Sequence, residues 1–154
     1  MFSVRPIDPS EYSLLEDFLY HAIFLPPDVE PLPREIIFEP NVYIYIKDFG
    51  GKDDRGLVAE KGGKVIGAAW TRIIPAYGQI DNETPELAIS VLPEFRKHGV
   101  GTMLMTHLFE LLRREYKQTS LSVQQKNDAV RFYQRLGYEI IRKNDEEFIM
   151  IKRF

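Results

Sequence analysis

Apolar and polar positions change period several times along the chain, and each change predicts an element. Residues 2–7 read as a short strand, after which Asp8, Pro9 and Ser10 offer turn and N-cap chemistry. Leu14, Leu15, Phe18, Leu19, Ala22 and Ile23 then recur at helical spacing, which predicts the first helix. Pro26, Pro27, Pro31, Pro33 and Pro40 forbid a long helix in the segment that follows but permit a short one around residues 34–38. Residues 56–60 and 64–74 are strand-like runs joined by Lys61-Gly62-Gly63, a hairpin signal because glycine takes positive φ without a Cβ penalty. A third run covers residues 86–92, after the polar loop 77–85, and completes an antiparallel meander.

From residue 99 to about 116 the apolar residues Val100, Met103, Leu104, Leu108, Leu111 and Leu112 return to helical spacing, and residues 121–123 read as the next strand. A helix over residues 128–136 ends at Gly137, the usual C-cap residue. Residues 138–142 and 148–152 form a closing hairpin around the polar residues 143–147. The predicted order is β, α, a short α, βββ, α, β, α, ββ, with no internal repeat.

Composition narrows the picture only by exclusion. At 154 residues, 44% hydrophobic and 28% charged, residues 1–154 have the makeup of one globular domain with a real core. A net charge of -3 argues against a general nucleic-acid binder, and the absence of cysteine removes disulfides, thiolate metal sites and a cysteine nucleophile. Arg5 and Pro6 interrupt the N-terminus too early for a signal peptide, and no run approaches the ~20 apolar residues of a membrane span. The expectation is a soluble, cytoplasmic protein that meets neither membrane nor nucleic acid. The three histidines, at positions 21, 98 and 107, have no metal-ligand spacing, so no metal site is expected.

Chemistry first shows at the corner between the third run and the long helix. Arg96, Lys97 and His98 stand immediately before Gly99 and Gly101, where a helix N-terminus would leave backbone N–H groups unpaired. Glycine lets a phosphate approach those amides, so the corner suits an anion, although a basic surface turn would look the same in isolation. A dinucleotide-binding glycine pattern fails because position 104 is Leu, and a Walker loop fails because no Gly-Lys-Ser/Thr follows.

Two signatures together decide between those readings. Val91-Leu92-Pro93 followed by Arg96-Lys97-His98-Gly99-Val100-Gly101 resembles the V-x-P…R/Q-x-x-G-x-G/A motif of the GNAT N-acetyltransferases. Asn127, Ala129, Tyr133, Gly137 and Tyr138 resemble that family's second motif, N…A-x-x-x-Y-x-x-x-G-F/Y, with one residue fewer between Asn127 and Ala129 than many relatives have. The resemblance spans nearly the whole chain and is weakest over residues 24–55. It implies an α/β (α+β) fold with a central, mostly antiparallel mixed sheet of about six to seven strands, flanked by helices and splayed at the coenzyme-binding strands. It also implies acetyl-coenzyme A (acetyl-CoA) as cosubstrate and an amine as acceptor.

Residue by residue, the resemblance assigns the coenzyme pyrophosphate to the amides of Arg96, Lys97, His98, Gly99, Val100, Gly101 and Thr102. It assigns the pantetheine arm to the backbone of Val91 and Leu92, with Asn127 in support. Tyr133 is the implied general acid for the departing thiolate, and a core aromatic is the plainer alternative. Glu86 is the implied base, directly or through water, although strand alternation sets it on the face opposite Leu87, Ile89 and Val91. Asn127 also suits a helix cap, Trp70 suits the core or, with Tyr77, a wall of the acceptor pocket, and Lys126, Arg131 and Arg135 suit either a ribose phosphate or a solvated face.

Acceptor-binding parts are implied in the first helix and the two loops that carry Asp28, Glu30, Glu35, Glu39, Asp81, Glu83 and Glu86. That acidity predicts a cationic amine as acceptor, and a homodimer is compatible with the family. A coenzyme-binding sensor without turnover, or an interaction domain whose glycines are only turns, are the competing functions.

Overall fold

The computed structural model describes all 154 residues. A seven-stranded sheet in the order β1-β2-β3-β4-β5-β7-β6 runs through the molecule. Its strands are β1 (Ser3–Pro6), β2 (Arg55–Lys61), β3 (Lys64–Arg72), β4 (Glu86–Val91), β5 (Gln118–Gln124), β6 (Glu139–Lys143) and β7 (Glu147–Arg153). All neighbours are antiparallel except β4 and β5. Those two run parallel and pair only at Glu86 opposite Ser120, where the Ser120 N–H donates to the Pro85 carbonyl at 3.0 Å. Beyond that point the ladder ends, and the rest of β4 faces an opening.

Helices α3 (Val100–Leu112) and α4 (Ala129–Arg135) cover one face of the sheet, while α1 (Leu15–Ala22) and α2 (Pro40–Tyr43) cover the other. Strand alternation divides the core accordingly. Leu57, Ala69, Leu87, Leu121 and Met150 pack beneath Leu104, Met105, Leu108 and Leu112 of α3. Val58, Ala68 and Trp70 pack beneath Leu15, Phe18 and Leu19 of α1, together with Ile37 and Ile46. Trp70 is a core residue: it is 1% exposed, and its indole N–H donates to the Tyr45 carbonyl at 2.9 Å.

Local signals explain most element starts. Asp8 caps the first turns by accepting from the Ser10 N–H at 2.9 Å, and Glu11 returns the bond to the Asp8 N–H, a reciprocal capping box. Those turns, residues Pro9–Leu14, are 3-10 rather than α, so the regular helix begins later than the periodicity predicts. The predicted short helix at Arg34–Phe38 is likewise a 3-10 turn, and Pro40 starts the unpredicted α2 from the N-terminal position that proline favours. The segment 44–54 is anchored by Arg72 on β3, which pairs with Asp54 at 2.9 Å and donates to the Ile44 and Lys47 carbonyls. No helix is long and apolar enough to cross a membrane.

Candidate functional site

The end of β4 lies where the sheet has lost its ladder, and its backbone decides what the opening presents. The Leu92 N–H donates to the Ile66 carbonyl of the neighbouring antiparallel run at 2.9 Å, and the Leu92 carbonyl accepts from the Phe95 N–H at 2.9 Å. Alternation along an antiparallel strand therefore turns the N–H and C=O groups of Ile89 and Val91 toward β5, across the gap. This corrects the sequence expectation for Leu92: its backbone groups are already engaged, and Ile89 takes its place beside Val91. The distinction rests on the phase of the ladder, which the motif alone does not carry.

From β4 the chain turns through Pro93–Phe95 into the N-terminus of α3. Lys97 and Gly99 both take left-handed conformations, with φ of 65° and 84°. Gly99 is the N-cap and has no side chain to close the helix, and the first ladder bond is Met103 N–H to the Gly99 carbonyl at 3.1 Å. The N–H groups of Val100, Gly101 and Thr102 are thus the unpaired donors of the first turn. A Cβ at Gly99 would meet no atom within 4 Å, so the space before the turn is open.

The two glycines do different work. At Gly101 a Cβ would lie 3.3 Å from the Phe132 ring, so this glycine lets α4 pack against α3. Val100 buries its side chain in the core with 2% exposure and anchors the turn. Lys97, His98 and Thr102 are exposed around it. Arg96 folds the other way: its Nε donates to the Val91 carbonyl at 2.9 Å and its Nη2 to the His21 carbonyl of α1 at 3.4 Å.

A cavity of about 620 Å³ opens at this junction. It brings together Ile89, Ser90, Val91, Arg96, Asn127 and Tyr133 with the end of α1 and the segment after it. Asn127 accepts from the Ala129 N–H at 2.9 Å, so it caps the turn into α4 while lining the cavity. The Tyr133 ring packs against Phe132 and Tyr138, with centroids at 5.5 and 5.7 Å, which holds it in place. Burial pushes its hydroxyl up to about 12. The packing and cavity roles of Tyr133 therefore coexist in one side chain.

Glu86 is not on the cavity wall. It is 2% exposed, on the α1 side of the sheet as alternation predicts, beneath the loop that carries Tyr77 and Gly78. Its Oε2 accepts from the Tyr45 hydroxyl and from the Gly78 N–H at 2.9 Å, whereas Oε1 is buried without a partner. A Cβ at Gly78 would fall 2.8 Å from that carboxylate and 2.9 Å from the Leu121 backbone, so only glycine lets the loop close so tightly. Desolvation pushes the Glu86 carboxyl up to about 7, against the two hydrogen bonds that lower it, and Glu147 on β7 raises it further.

The remaining sequence candidates lie apart from the cavity. Asp28, Glu30, Glu35, Glu39, Asp81 and Glu83 are exposed, and none lines it. Lys126, Arg131 and Arg135 are exposed as well. Sequence reasoning missed the wall formed by Tyr20, His21, Ile23, Phe24, Leu25, Pro31 and Leu32. The run of apolar residues from Ile23 to Leu25, past the end of α1, was its one visible trace. No group of three His, Cys, Asp or Glu side chains is placed to hold a metal ion.

Comparison with known proteins gives the same architecture a context. Residues 18–138 match the model of the Acetyltransferase (GNAT) family. The ribosomal-protein-S18-alanine N-acetyltransferase of Escherichia coli superposes with a TM-score of 0.69 at 21% identity, covering 99% of this chain and 94% of that one. The paia N-acetyltransferase of Thermoplasma acidophilum, solved in complex with coenzyme A, gives 0.71 at 16% identity, covering 100% and 99%. The yncA protein of Salmonella typhimurium, solved with its cofactor acetyl-CoA, gives 0.69 at 17% identity, covering 99% and 93%. At these identities the structures share the fold. No curated protein matches the chain.

Proposed function

We propose, from the premise that the chain belongs to the acetyltransferase (GNAT) family, that it transfers the acetyl group of acetyl-CoA to a primary amine in a single ternary complex. The observation that carries this reading is the cavity in which the unpaired end of β4 meets Arg96, Asn127 and Tyr133. The names of the Escherichia coli and Thermoplasma acidophilum proteins specify N-acetyl transfer, and the crystallised complexes contain coenzyme A or its acetyl form.

The residues present fit that cosubstrate. The unpaired amides of Val100, Gly101 and Thr102, with open space before Gly99 and the exposed cations Lys97 and His98 beside it, suit a pyrophosphate. The backbone groups of Ile89 and Val91 suit the amides of a pantetheine arm, once Arg96 releases the Val91 carbonyl that it holds. When bound, acetyl-CoA supplies a thioester: an amine attacks its carbonyl carbon, the C–S bond breaks, the nitrogen loses a proton and the sulfur gains one.

Tyr133 serves the sulfur side. A hydroxyl held near 12 stays protonated through neutral pH, so it acts as a hydrogen-bond and proton donor there rather than as a base. Glu86 serves the nitrogen side. Because it is buried off the cavity it makes no direct contact with the amine, so its role is a relay through intervening water, supported by a carboxyl that ionises near neutral pH.

The test is thiol release from acetyl-CoA, followed with and without a pool of primary amines. Amine-dependent release is the expected result. Acetyl-CoA binding without amine-dependent release would reduce the protein to a coenzyme-binding module.

A further inference from the structure

The acceptor expected from the sequence is a cation, and the walls of the cavity point elsewhere. Of the seven carboxylates in the acceptor-side segments, six are exposed and Glu86 is buried off the cavity, so none lines it. The side chains on its lining that can carry a positive charge are Arg96 and His21, and none there is a carboxylate. Desolvation by burial, with Arg96 nearby, lowers the His21 pKa and favours its neutral form. A second positive charge on an acceptor would therefore meet Arg96 and lose its water with no carboxylate on the lining to balance it; Asp17 and Glu94, the carboxylates that act on His21, lie off the lining, and Asp17 is already paired with Arg34.

The wall opposite β4 is hydrocarbon. Ile23, Phe24, Leu25, Pro31 and Leu32 supply it, and the Tyr20 hydroxyl donates to the Leu32 carbonyl at 2.6 Å, fastening the loop to α1. Leu25 and Leu32 are each 38% exposed, and Val29 on the same loop is 48% exposed. Large apolar side chains left at a cavity rim mark a place where something apolar docks.

We propose that the acceptor is a primary amine carried on an apolar body with no second positive charge, its hydrocarbon lying against Ile23, Phe24, Leu25 and Leu32. This rests on the acetyl-transfer reading above and names the substrate class for it. The amine approaches the thioester from the α1 side, and selectivity arises from methylene burial on one wall and from the missing carboxylate on all of them. Two sources present this chemistry: a free alkyl or aromatic amine, and the N-terminus of a peptide that begins with apolar residues.

The experiment uses the full chain and has three arms, preceded by calorimetric titration with acetyl-CoA. In the first arm, kcat/KM for n-alkylamines from propyl to hexyl should rise about fourfold per methylene, the burial of one CH₂ in each step. In the second, α,ω-diamines of matching length should react at least ~10-fold more slowly, and Leu32→Asp should move the hexylamine-to-diaminohexane ratio about tenfold toward the diamine. In the third, peptides with an apolar first residue are compared with the alkylamines, and the better substrate identifies the source of the amine. Leu32 is already partly exposed, so a carboxylate there is compatible with folding. A flat chain-length series, a preference for diamines in the wild type, or acetyl-CoA binding with no apolar amine acetylated would overturn the proposal. Absence of acetyl-CoA binding would instead overturn the reading on which it rests, and the proposal with it.

Discussion

Replacing Glu86 by Gln should make the protein more stable at neutral pH. The side chain is 2% exposed, and its carboxyl stands at about 7 in the folded state against an ordinary value of 4.5. Below the ordinary value the group is protonated in both states and costs nothing. As pH rises from there toward 7, the unfolded chain ionises while the folded one holds its proton, so stability falls, and above 7 the loss is complete. The gap corresponds to about 3 kcal/mol at ~1.4 kcal/mol per unit. Glutamine cannot ionise, so Glu86→Gln removes the decline, offset by up to ~1 kcal/mol wherever the amide reproduces a hydrogen bond poorly. Urea unfolding from about pH 4.5 to 8 reads this directly, and comparison of variant with wild type cancels the other carboxylates. Parallel stability profiles would refute the burial argument. The same variant should lose ~10²-fold in kcat/KM, together with the limb of the pH profile that rises through about 7, if Glu86 receives the amine's proton.

Four further substitutions test other parts of the account. Tyr133→Phe keeps the ring contacts and removes a hydroxyl that bonds to no protein group, so Tm should hold while turnover falls ~10²-fold; wild-type turnover under rate-limiting chemistry would leave Tyr133 a packing residue. Gly99→Val forces a branched residue to a φ of 84° and should weaken acetyl-CoA binding about tenfold or more by calorimetry; unchanged affinity in a folded variant would refute the cradle. Gly101→Val, by contrast, presses on Phe132 and should lower Tm as well as affinity. Asp54→Ala strands the buried Arg72 guanidinium and should cost about 3 kcal/mol of unfolding free energy, where no loss would show the pair to be structurally idle.

Much of the fold was legible because its signals are local. The period of Val100, Leu104, Leu108 and Leu112 names a helix, and Gly62-Gly63 names the β2–β3 turn, whatever surrounds them. The 3-10 character of residues Pro9–Leu14 and Arg34–Phe38 was not legible, since both helix types draw on the same caps and prolines. Among the candidate site residues, Arg96, Gly99, Asn127 and Tyr133 were singled out through the family resemblance of their motifs, but the engagement of Leu92 and the freedom of Ile89 depend on the phase of pairing with the neighbouring strand. On the acceptor side the carboxylates were legible but their placement was not. Composition counts Asp28, Glu30 and Glu35 as neighbours of the site, whereas the loop turns them to solvent and presents Phe24, Leu25 and Leu32 to the cavity.

The central claim is that the unpaired end of β4 and the first turn of α3 receive acetyl-CoA. Amide hydrogen exchange with and without the cosubstrate tests it residue by residue, because the N–H groups of Ile89, Val91, Val100, Gly101 and Thr102 carry no ladder partner to protect them. Acetyl-CoA should slow exchange at these five amides while leaving β6, at the far edge of the sheet, unchanged. Unaltered exchange there at millimolar acetyl-CoA, or protection confined to another surface, would contradict the account.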